Sequence, residues 1–148
     1  MSDESTRLFS LTDAERTRAK VEPILLEAIQ AHQRMNELEG KLSSLGNRIH
    51  QSGGLLVSYD RVAKVRVERE AVVHVIREAL ERIQSTGCVV KDLGSGLLDF
   101  PARLNDEEIY FCWRVGEDRI RFYHRQDEGF SERKPIDPRD SNLSSSVH

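Results

Sequence analysis

A long apolar repeat in the first third of the chain constrains its fold most strongly. Apolar residues recur there in alternating steps of three and four, the period of a coiled-coil seam: Val21, Ile24, Ala28, Ala31, Met35, Leu38, Leu42, Leu45 and Ile49. The repeat predicts one long helix that begins at a capping box, Thr12–Glu15. Pro23 predicts a kink or the true first turn of the helix. Two later glycines, Gly40 and Gly46, favour an end before Ile49.

A second helix follows a short turn that contains glycine. His50–Gly54 supplies the turn, and Ser58 is placed to cap the new helix. The helical spacing then resumes and stops before Gly87, in a second stripe: Val62, Val65, Val72, Ile76, Ala79 and Ile83. Two long helices joined by a short turn predict an antiparallel hairpin. Because two helices cannot cover all of their apolar positions, the sequence also predicts a homodimer through this hairpin.

The pattern changes from a helical period to alternation after Gly87. Three alternating stretches predict an antiparallel β-meander: Leu97–Leu104, Glu107–Val115 and Arg119–Arg125. The predicted fold class is therefore α+β, a long coiled-coil-like helical hairpin followed by a small three-stranded sheet. The predicted organisation is a lead-in at residues 1–11, the hairpin at 12–87, the sheet head at 88–136 and a disordered tail at 137–148.

Apolar residues matched across the two predicted hairpins indicate the register of the sheet. Tight turns at Asn105–Asp106 and Glu117–Asp118 place one set of side chains on a core face: Leu98, Phe100, Ala102, Ile109, Phe111, Trp113, Val115, Ile120 and Phe122. In this register His124 lies on the core side, opposite Phe111. The outer face carries the remaining side chains of the three strands.

The outer face has two interpretations. One is a solvated antiparallel face. The other is an anion or carboxylate pocket, because Arg114 directly opposite Arg121 is an unfavourable like-charge pair unless an anion lies between them. The candidate ligand-binding residues are Asp99, Tyr110, Cys112, Arg114, Arg121, Tyr123, His124 and Asp127.

His124 and Cys112 lie on opposite faces in the predicted register. That separation argues against a Cys–His pair of nucleophile and base, and the same objection applies to a metal site made by His124, Asp127 and Asp99. Asp127 follows the last strand and is placed instead to orient His124. The sequence therefore predicts no metal site and identifies no catalytic residue and no cofactor.

Composition argues against several classes of protein. The 148 residues carry 22 basic and 25 acidic side chains, a net charge of −3, which argues against a nucleic-acid partner. No run approaches the ~18 apolar residues that cross a bilayer, and the polar start Met1–Arg7 does not resemble a secretory signal. Cys88 and Cys112 lack zinc-ligand spacing, so a reduced, cytoplasmic protein without a membrane partner is expected.

The second half of the chain carries a motif that resembles a bacterial family. The motif comprises Lys91–Leu93, Gly96–Ala102, Tyr110–Arg114, His124, Gly129–Phe130 and Pro135–Ile136. It is similar to the family catalogued as domain of unknown function 2203, and the resemblance covers nearly the whole chain. It implies a small cytoplasmic bacterial protein with no assigned activity, cofactor or catalytic residue. The pair Arg125–Gln126 departs from the acidic and apolar pair toward which the family tends.

Two functions follow from these observations. The protruding hairpin favours a dimeric structural or interaction module without catalysis. The alternative is a head that binds a small anion or acts as an enzyme, using the region of Asp99, Cys112, Arg114 and His124.

Overall fold

The two predicted helices form and pack against each other in the computed structural model, which describes residues 7–52 and 59–137. Helix α1 spans Leu11–Ser52 and helix α2 spans Tyr59–Gln84. The start of α1 and the end of α2 meet in one apolar core, because Val21 and Leu25 belong to the same cluster as Ile83. The helices are therefore antiparallel. The predicted Ser58 cap and nearly all of the predicted tail lie outside the described residues.

The apolar repeat in α1 faces the interior, as predicted. All nine residues of the repeat are buried or half-buried. The helix continues through Pro23 and past both glycines to Ser52, so the expected end before Ile49 is wrong. Leu45 is only 8% exposed, so tertiary packing outweighs the low helix propensity of glycine in this part of α1.

Helix α1 begins with a cap that differs from the predicted one. The Asp13 amide donates a hydrogen bond to Ser10 Oγ at 3.1 Å, so Ser10 is the N-cap and the predicted capping box at Thr12–Glu15 is wrong. The Glu15 carboxylate accepts a hydrogen bond from the Ile120 amide at 2.8 Å instead. This side chain therefore ties the first turns of α1 to the sheet head.

Within the described residues, five strands form the sheet, two more than predicted, and they lie side by side in chain order. The strands are β1 Val89–Asp92, β2 Leu97–Leu104, β3 Glu107–Arg114, β4 Phe122–Arg125 and β5 Lys134–Pro135. Every neighbouring pair is antiparallel. The two additional strands are short edge strands, and a stretch of two to four residues is too brief to show an alternating pattern in the sequence.

The register between β2 and β3 is the predicted one. Phe100 lies opposite Phe111 and Asp99 lies opposite Cys112. The turn residues Asn105 and Asp106 both have positive φ, at 52° and 65°, as a two-residue hairpin turn requires. The first predicted hairpin is therefore confirmed in both its turn and its pairing.

The register between β3 and β4 differs from the prediction by one residue. His124 lies opposite Tyr110 instead of Phe111, and Phe122 lies opposite Cys112 instead of Trp113. Side chains alternate between the faces of a strand, so a shift of one residue exchanges the faces of the whole strand. His124 therefore lies on the same face as Asp99 and Cys112, and the predicted separation of His124 from Cys112 is wrong.

The segment between β3 and β4, residues 115–121, explains the shift. Contacts outside the sheet ladder hold this segment, so a tight turn does not form at Glu117–Asp118. Trp113 Nε1 donates a hydrogen bond to Glu117 O at 3.1 Å. The Ile120 amide bonds to helix α1 through Glu15, and the Ile120 side chain is buried in the core at 5% exposure. β4 consequently starts at Phe122 instead of Arg119.

One apolar core joins the helices to the sheet. Phe9, just before α1, packs edge-on against Phe100 of β2 with ring centroids 5.4 Å apart. The Phe9 amide also donates a hydrogen bond to Pro101 O at 2.7 Å. None of the helices in the described part of the chain combines the length and apolar character that a membrane span requires.

Candidate buried Asp–Cys–His site

Three adjacent strands each contribute one chemically active side chain to the same point of the sheet. Asp99 comes from β2, Cys112 from β3 and His124 from β4. One oxygen of Asp99, Cys112 Sγ and one ring nitrogen of His124 all lie within 4.8 Å of one another. The group is almost fully enclosed, with residue exposures of 1%, 1% and 2%. We refer to these three residues as the Asp–Cys–His cluster.

The hydrogen bonds of His124 determine where its protons are. Nδ1 lies 2.7 Å from Arg125 O, a carbonyl oxygen that only accepts hydrogen bonds, so Nδ1 carries a proton. Nε2 lies 3.2 Å from both carboxylate oxygens of Asp99. In the neutral imidazole this arrangement points the Nε2 lone pair at a carboxylate, which repels it. A proton shared between Nε2 and the Asp99 carboxyl group, or a metal ion between them, removes this repulsion.

The Cys112 thiol is held in its protonated form when no metal is bound. Burial, and to a smaller extent the nearby Asp99 carboxylate, raise the pKa of Cys112 to about 12. Arg133 acts in the opposite direction but does not reverse the shift. A thiol with this pKa is a poor nucleophile at neutral pH, and His124 directs its Nε2 at Asp99. This geometry argues against a Cys–His nucleophile.

Arg133, in the segment that follows β4, interacts with Cys112 of the cluster. Its guanidinium carbon lies 4.2 Å from the centroid of the Phe122 ring and 4.0 Å from that of Phe130. Arg133 Nη2 also forms an ion pair with Glu117 at 2.9 Å, and its side chain is only 13% exposed. Two aromatic contacts and one half-buried ion pair fix the guanidinium beside Cys112. Sequence analysis missed Arg133, because no periodic pattern extends into this irregular segment.

Two predicted site residues, Tyr110 and Tyr123, have different positions relative to the cluster. The Tyr110 ring lies beside His124, with ring centroids 5.5 Å apart. Tyr123 lies opposite Phe111 and packs against the apolar core. Its predicted position on the outer face is therefore wrong, and the cause is the same one-residue shift of β4.

The remaining predicted site residues, Arg114, Arg121 and Asp127, are exposed. The Arg121 guanidinium pairs with Asp118 through two hydrogen bonds of 2.9 Å. Arg121 precedes β4, so the predicted strand pair of Arg114 with Arg121 does not form. The predicted anion pocket required that pair. Asp127 lies in the turn after β4, and the described hydrogen bonds of the His124 ring go to Arg125 O and Asp99 instead.

One known protein family matches most of the chain. The model of a family described as an uncharacterized conserved protein, DUF2203, matches residues 7–136. The chain belongs to the DUF2203 family. No curated protein and no solved structure matches it. The matched residues of this DUF2203 chain include both helices, all five strands and the whole Asp–Cys–His cluster.

The donor atoms of the cluster suit a transition metal. Thiolate sulfur, imidazole nitrogen and carboxylate oxygen are the three ligand types of protein zinc sites, at about 2.0–2.3 Å from the ion. Donors around one tetrahedral ion are then about 3–4 Å apart, and the observed separations need only a small closure. The Nδ1 hydrogen bond to Arg125 O is the outer contact that typically orients a histidine ligand. In this DUF2203 chain, Asp99, Cys112 and His124 are therefore the residues that would hold a metal.

Proposed function

We propose that the sheet head binds a divalent transition-metal ion, Zn²⁺ by preference, through Asp99, Cys112 and His124. The observation that carries this proposal is the orientation of His124, whose Nε2 faces the Asp99 carboxylate while Nδ1 is committed to Arg125 O. A metal ion would accept electron pairs from both His124 Nε2 and the Asp99 carboxylate, and the Cys112 thiol would supply a third ligand. One carboxylate and one thiolate neutralise the two charges of Zn²⁺, so the bound site is neutral within an enclosed region.

A three-residue ligand set leaves one coordination position for water or a small ligand. This is the composition of catalytic zinc sites, whereas structural zinc sites use four protein ligands. The function supported best is therefore a metal-dependent site for a small anion, with Arg133 as the neighbouring positive charge. When bound, Zn²⁺ would supply a Lewis acid. The protein residues would hold the ion, exclude bulk water and present the Arg133 guanidinium.

Metal content and cobalt spectroscopy test the proposal. We expect the purified full chain to contain about one Zn²⁺ per protomer by elemental mass spectrometry. The cobalt-substituted protein should show thiolate-to-cobalt charge transfer in the near ultraviolet. Cys112→Ala should abolish that band and weaken Zn²⁺ binding by more than the ~10–100-fold typical of losing an outer hydrogen bond.

Cys88 provides a matched control for Cys112. It is also a free, buried cysteine, at 2% exposure, but it lies outside the cluster. Cys88→Ala should therefore keep the charge-transfer band and the metal content. Circular dichroism would verify that both variants are folded. Equal metal binding by the two variants, or less than one tenth of an equivalent of metal in protein purified from zinc-supplemented medium, would contradict the metal site.

A second candidate function, self-association through the hairpin, is favoured by an apolar stripe on α2. Ala63, Val67, Ala71 and Val75 are spaced by four residues, share one helix face and are all exposed. Val67 is 66% exposed and Val75 is 37% exposed. Isolated apolar side chains are common on surfaces, but a stripe along a helix is typical of an interface. The other apolar stripe of α2 already packs against α1.

A second copy of the chain is the proposed occupant of the α2 stripe. Helix α1 carries six basic and six acidic residues, and α2 carries six basic and five acidic residues, so each hairpin has a net charge of only +1 and two copies repel each other weakly. Two paired hairpins would form a four-helix bundle, which covers the faces that two helices leave open. Self-association through the hairpin and metal binding by the sheet head are compatible, because they use different parts of the chain.

Light scattering after size-exclusion chromatography tests self-association. The full chain should elute as a dimer of about twice the 17.0 kDa chain mass. Val67→Lys and Val75→Lys together should yield the monomer, because the charges would be buried in the interface. Val89→Lys is the matched control, since Val89 is 39% exposed but lies on the sheet head. A monomeric wild-type chain at 100 µM, or a dimer that tolerates both α2 substitutions, would contradict the module.

We also propose a bacterial cytoplasmic setting for this function. Two free cysteines, both buried and unpaired with each other, support a reducing compartment. The similarity to a bacterial family noted in the sequence supports the bacterial origin.

A further inference from the structure

A wide apolar groove lies between the start of α1 and the last part of the sheet head. Its volume is about 990 Å³, at the upper end of the ~300–1,000 Å³ range of small-molecule sites. Three separate parts of the chain contribute to its walls: the first turns of α1, the segment at 119–122 and the residues around β5. The apolar lining consists of Leu11, Ala19, Ile120, Phe122, Pro135 and Ile136.

The rim of the groove is rich in arginine. Arg16, Arg119 and Arg121 all line it, and Glu15 is the acidic residue among them. The Glu15 carboxylate is already committed to the Ile120 amide and to the Arg18 guanidinium. It therefore adds little free negative charge to the groove.

Arg119 is the free cation of this rim. Arg16 pairs with Asp13 at 3.3 Å, and Arg121 pairs with Asp118 at 2.9 Å. Within residues 7–52 and 59–137, no hydrogen bond or ion pair is formed by the exposed Arg119 guanidinium. Its charge acts on Asp118 only at longer range, as a small contribution to the lowered pKa of that carboxyl. An uncommitted guanidinium at the edge of an apolar trough is suited to an anionic headgroup.

We propose that this groove binds a single-chain amphiphile with a carboxylate headgroup, such as a medium-chain fatty acid. The aliphatic chain would lie along the apolar lining, and the carboxylate would pair with Arg119. The mostly apolar lining favours an aliphatic chain, and the arginine residues favour an anion over a neutral or cationic headgroup. The proposal does not depend on the metal site, because none of the cluster residues lines the groove.

Calorimetric titration of the full chain with sodium decanoate below its micelle concentration tests the proposal. Decanoate should bind with one site per chain, and decyltrimethylammonium should not bind. Arg119→Glu should weaken decanoate binding at least tenfold while leaving decanol binding unchanged. Arg114→Glu is the matched control, since Arg114 is an exposed arginine of the same head outside the groove.

A groove-filling variant separates this site from other binding surfaces. Ala19→Trp places a large side chain on an exposed position of the lining and should abolish decanoate binding without unfolding the chain. Cys112→Ala should bind decanoate like the wild type, so the loss of the metal site would not be mistaken for the loss of this one. Unchanged decanoate binding in Ala19→Trp, equal binding of the cationic amphiphile, or binding to anionic lipid vesicles without binding to decanoate would each overturn the proposal.

Discussion

Arg133 places a positive charge beside the Asp–Cys–His cluster. The residue lies outside the regular strands, yet its guanidinium is held by Phe122, Phe130 and Glu117. A positive charge in this position offsets part of the negative charge that the Asp99 carboxylate brings into a buried region. The same charge would sit beside any anion that reached a metal ion at the cluster. This one side chain therefore contributes to both the packing and the electrostatics around Cys112.

Asp118 gives a pH-dependent prediction at the residue scale. The hydrogen bonds from Arg121 hold the pKa of Asp118 down to about 2, below the ~3.9 of an unfolded chain. A depressed folded-state pKa stabilises the fold above the unfolded pKa, and the contribution is lost as the pH falls through about 2. Asp118→Asn should therefore lower the melting temperature slightly at pH 7, and the difference from the wild type should shrink steadily from pH 5 to pH 2.

Asp106→Asn is the control for the Asp118 measurement. Asp106 is an exposed turn residue with positive φ, which asparagine also tolerates, and it forms no ion pair with the described residues. Its substitution should leave the melting temperature nearly constant across the same pH range. A penalty for Asp118→Asn that does not change with pH would contradict the assigned ion pair.

The sequence predicted two of the three cluster residues on one face and misplaced the third. Asp99 and Cys112 face each other across a hairpin whose turn, Asn105–Asp106, has a strong local signal. His124 depends on the segment before β4, and that segment is held by Glu15, about 100 residues earlier in the chain. A contact over that distance leaves no local pattern, so the tight turn assumed at Glu117–Asp118 reversed the face of His124.

Gly96 gives a prediction at the scale of strands and turns. It has φ of +72°, and a Cβ at this position would lie 2.7 Å from Val115 Cγ2. Gly96→Ala should destabilise the fold by about 2–4 kcal/mol, the sum of the cost of a left-handed conformation and of overpacking. The free energy of unfolding in urea would measure this loss.

A Gly116 variant distinguishes the conformational cost from the overpacking cost of substituting Gly96. It also has a positive φ, of +105°, but no atom lies within 4 Å of the corresponding Cβ. Gly116→Ala should cost only about 1–2 kcal/mol, the conformational part alone. Equal losses for the two variants would show that the contact of Gly96 with Val115 is not tight.

Elements with strong internal patterns were predictable, and their ends were not. The repeat in α1 indicated the correct buried face, but the helix start depended on Ser10 and not on Thr12. Both residues are capping types, and the distinction is set by the packing of Phe9 into the core one position earlier. The edge strands β1 and β5 were missed because their pairing partners, rather than their own sequences, define them.

At the scale of the whole molecule, the stability of the hairpin should decrease away from the sheet head. Val21, Leu25 and Ala28 are at most 1% exposed, and Val21 and Leu25 belong to the core shared with the sheet. Among the described residues, the far part of α1 packs mainly against α2, and Leu45 is 8% exposed compared with at most 1% near the head. Hydrogen exchange should therefore be slowest in the first half of α1 and fastest beyond Leu45. Uniform protection along α1 would contradict this gradient.

The hydrogen bond from Phe9 to Pro101 joins residues 92 positions apart, since 101 − 9 = 92. At ~5–20 residues per second, a ribosome needs about 5–20 s to make the intervening chain. Through that interval Phe9 and the adjoining face of α1 have no sheet to pack against, because α1 and then α2 are synthesised before β2. Chaperone capture of the nascent chain should therefore peak before residue 101 leaves the exit tunnel and decline once β2 has emerged. For this protein, the speed of translation sets how long this apolar face remains exposed before the sheet forms.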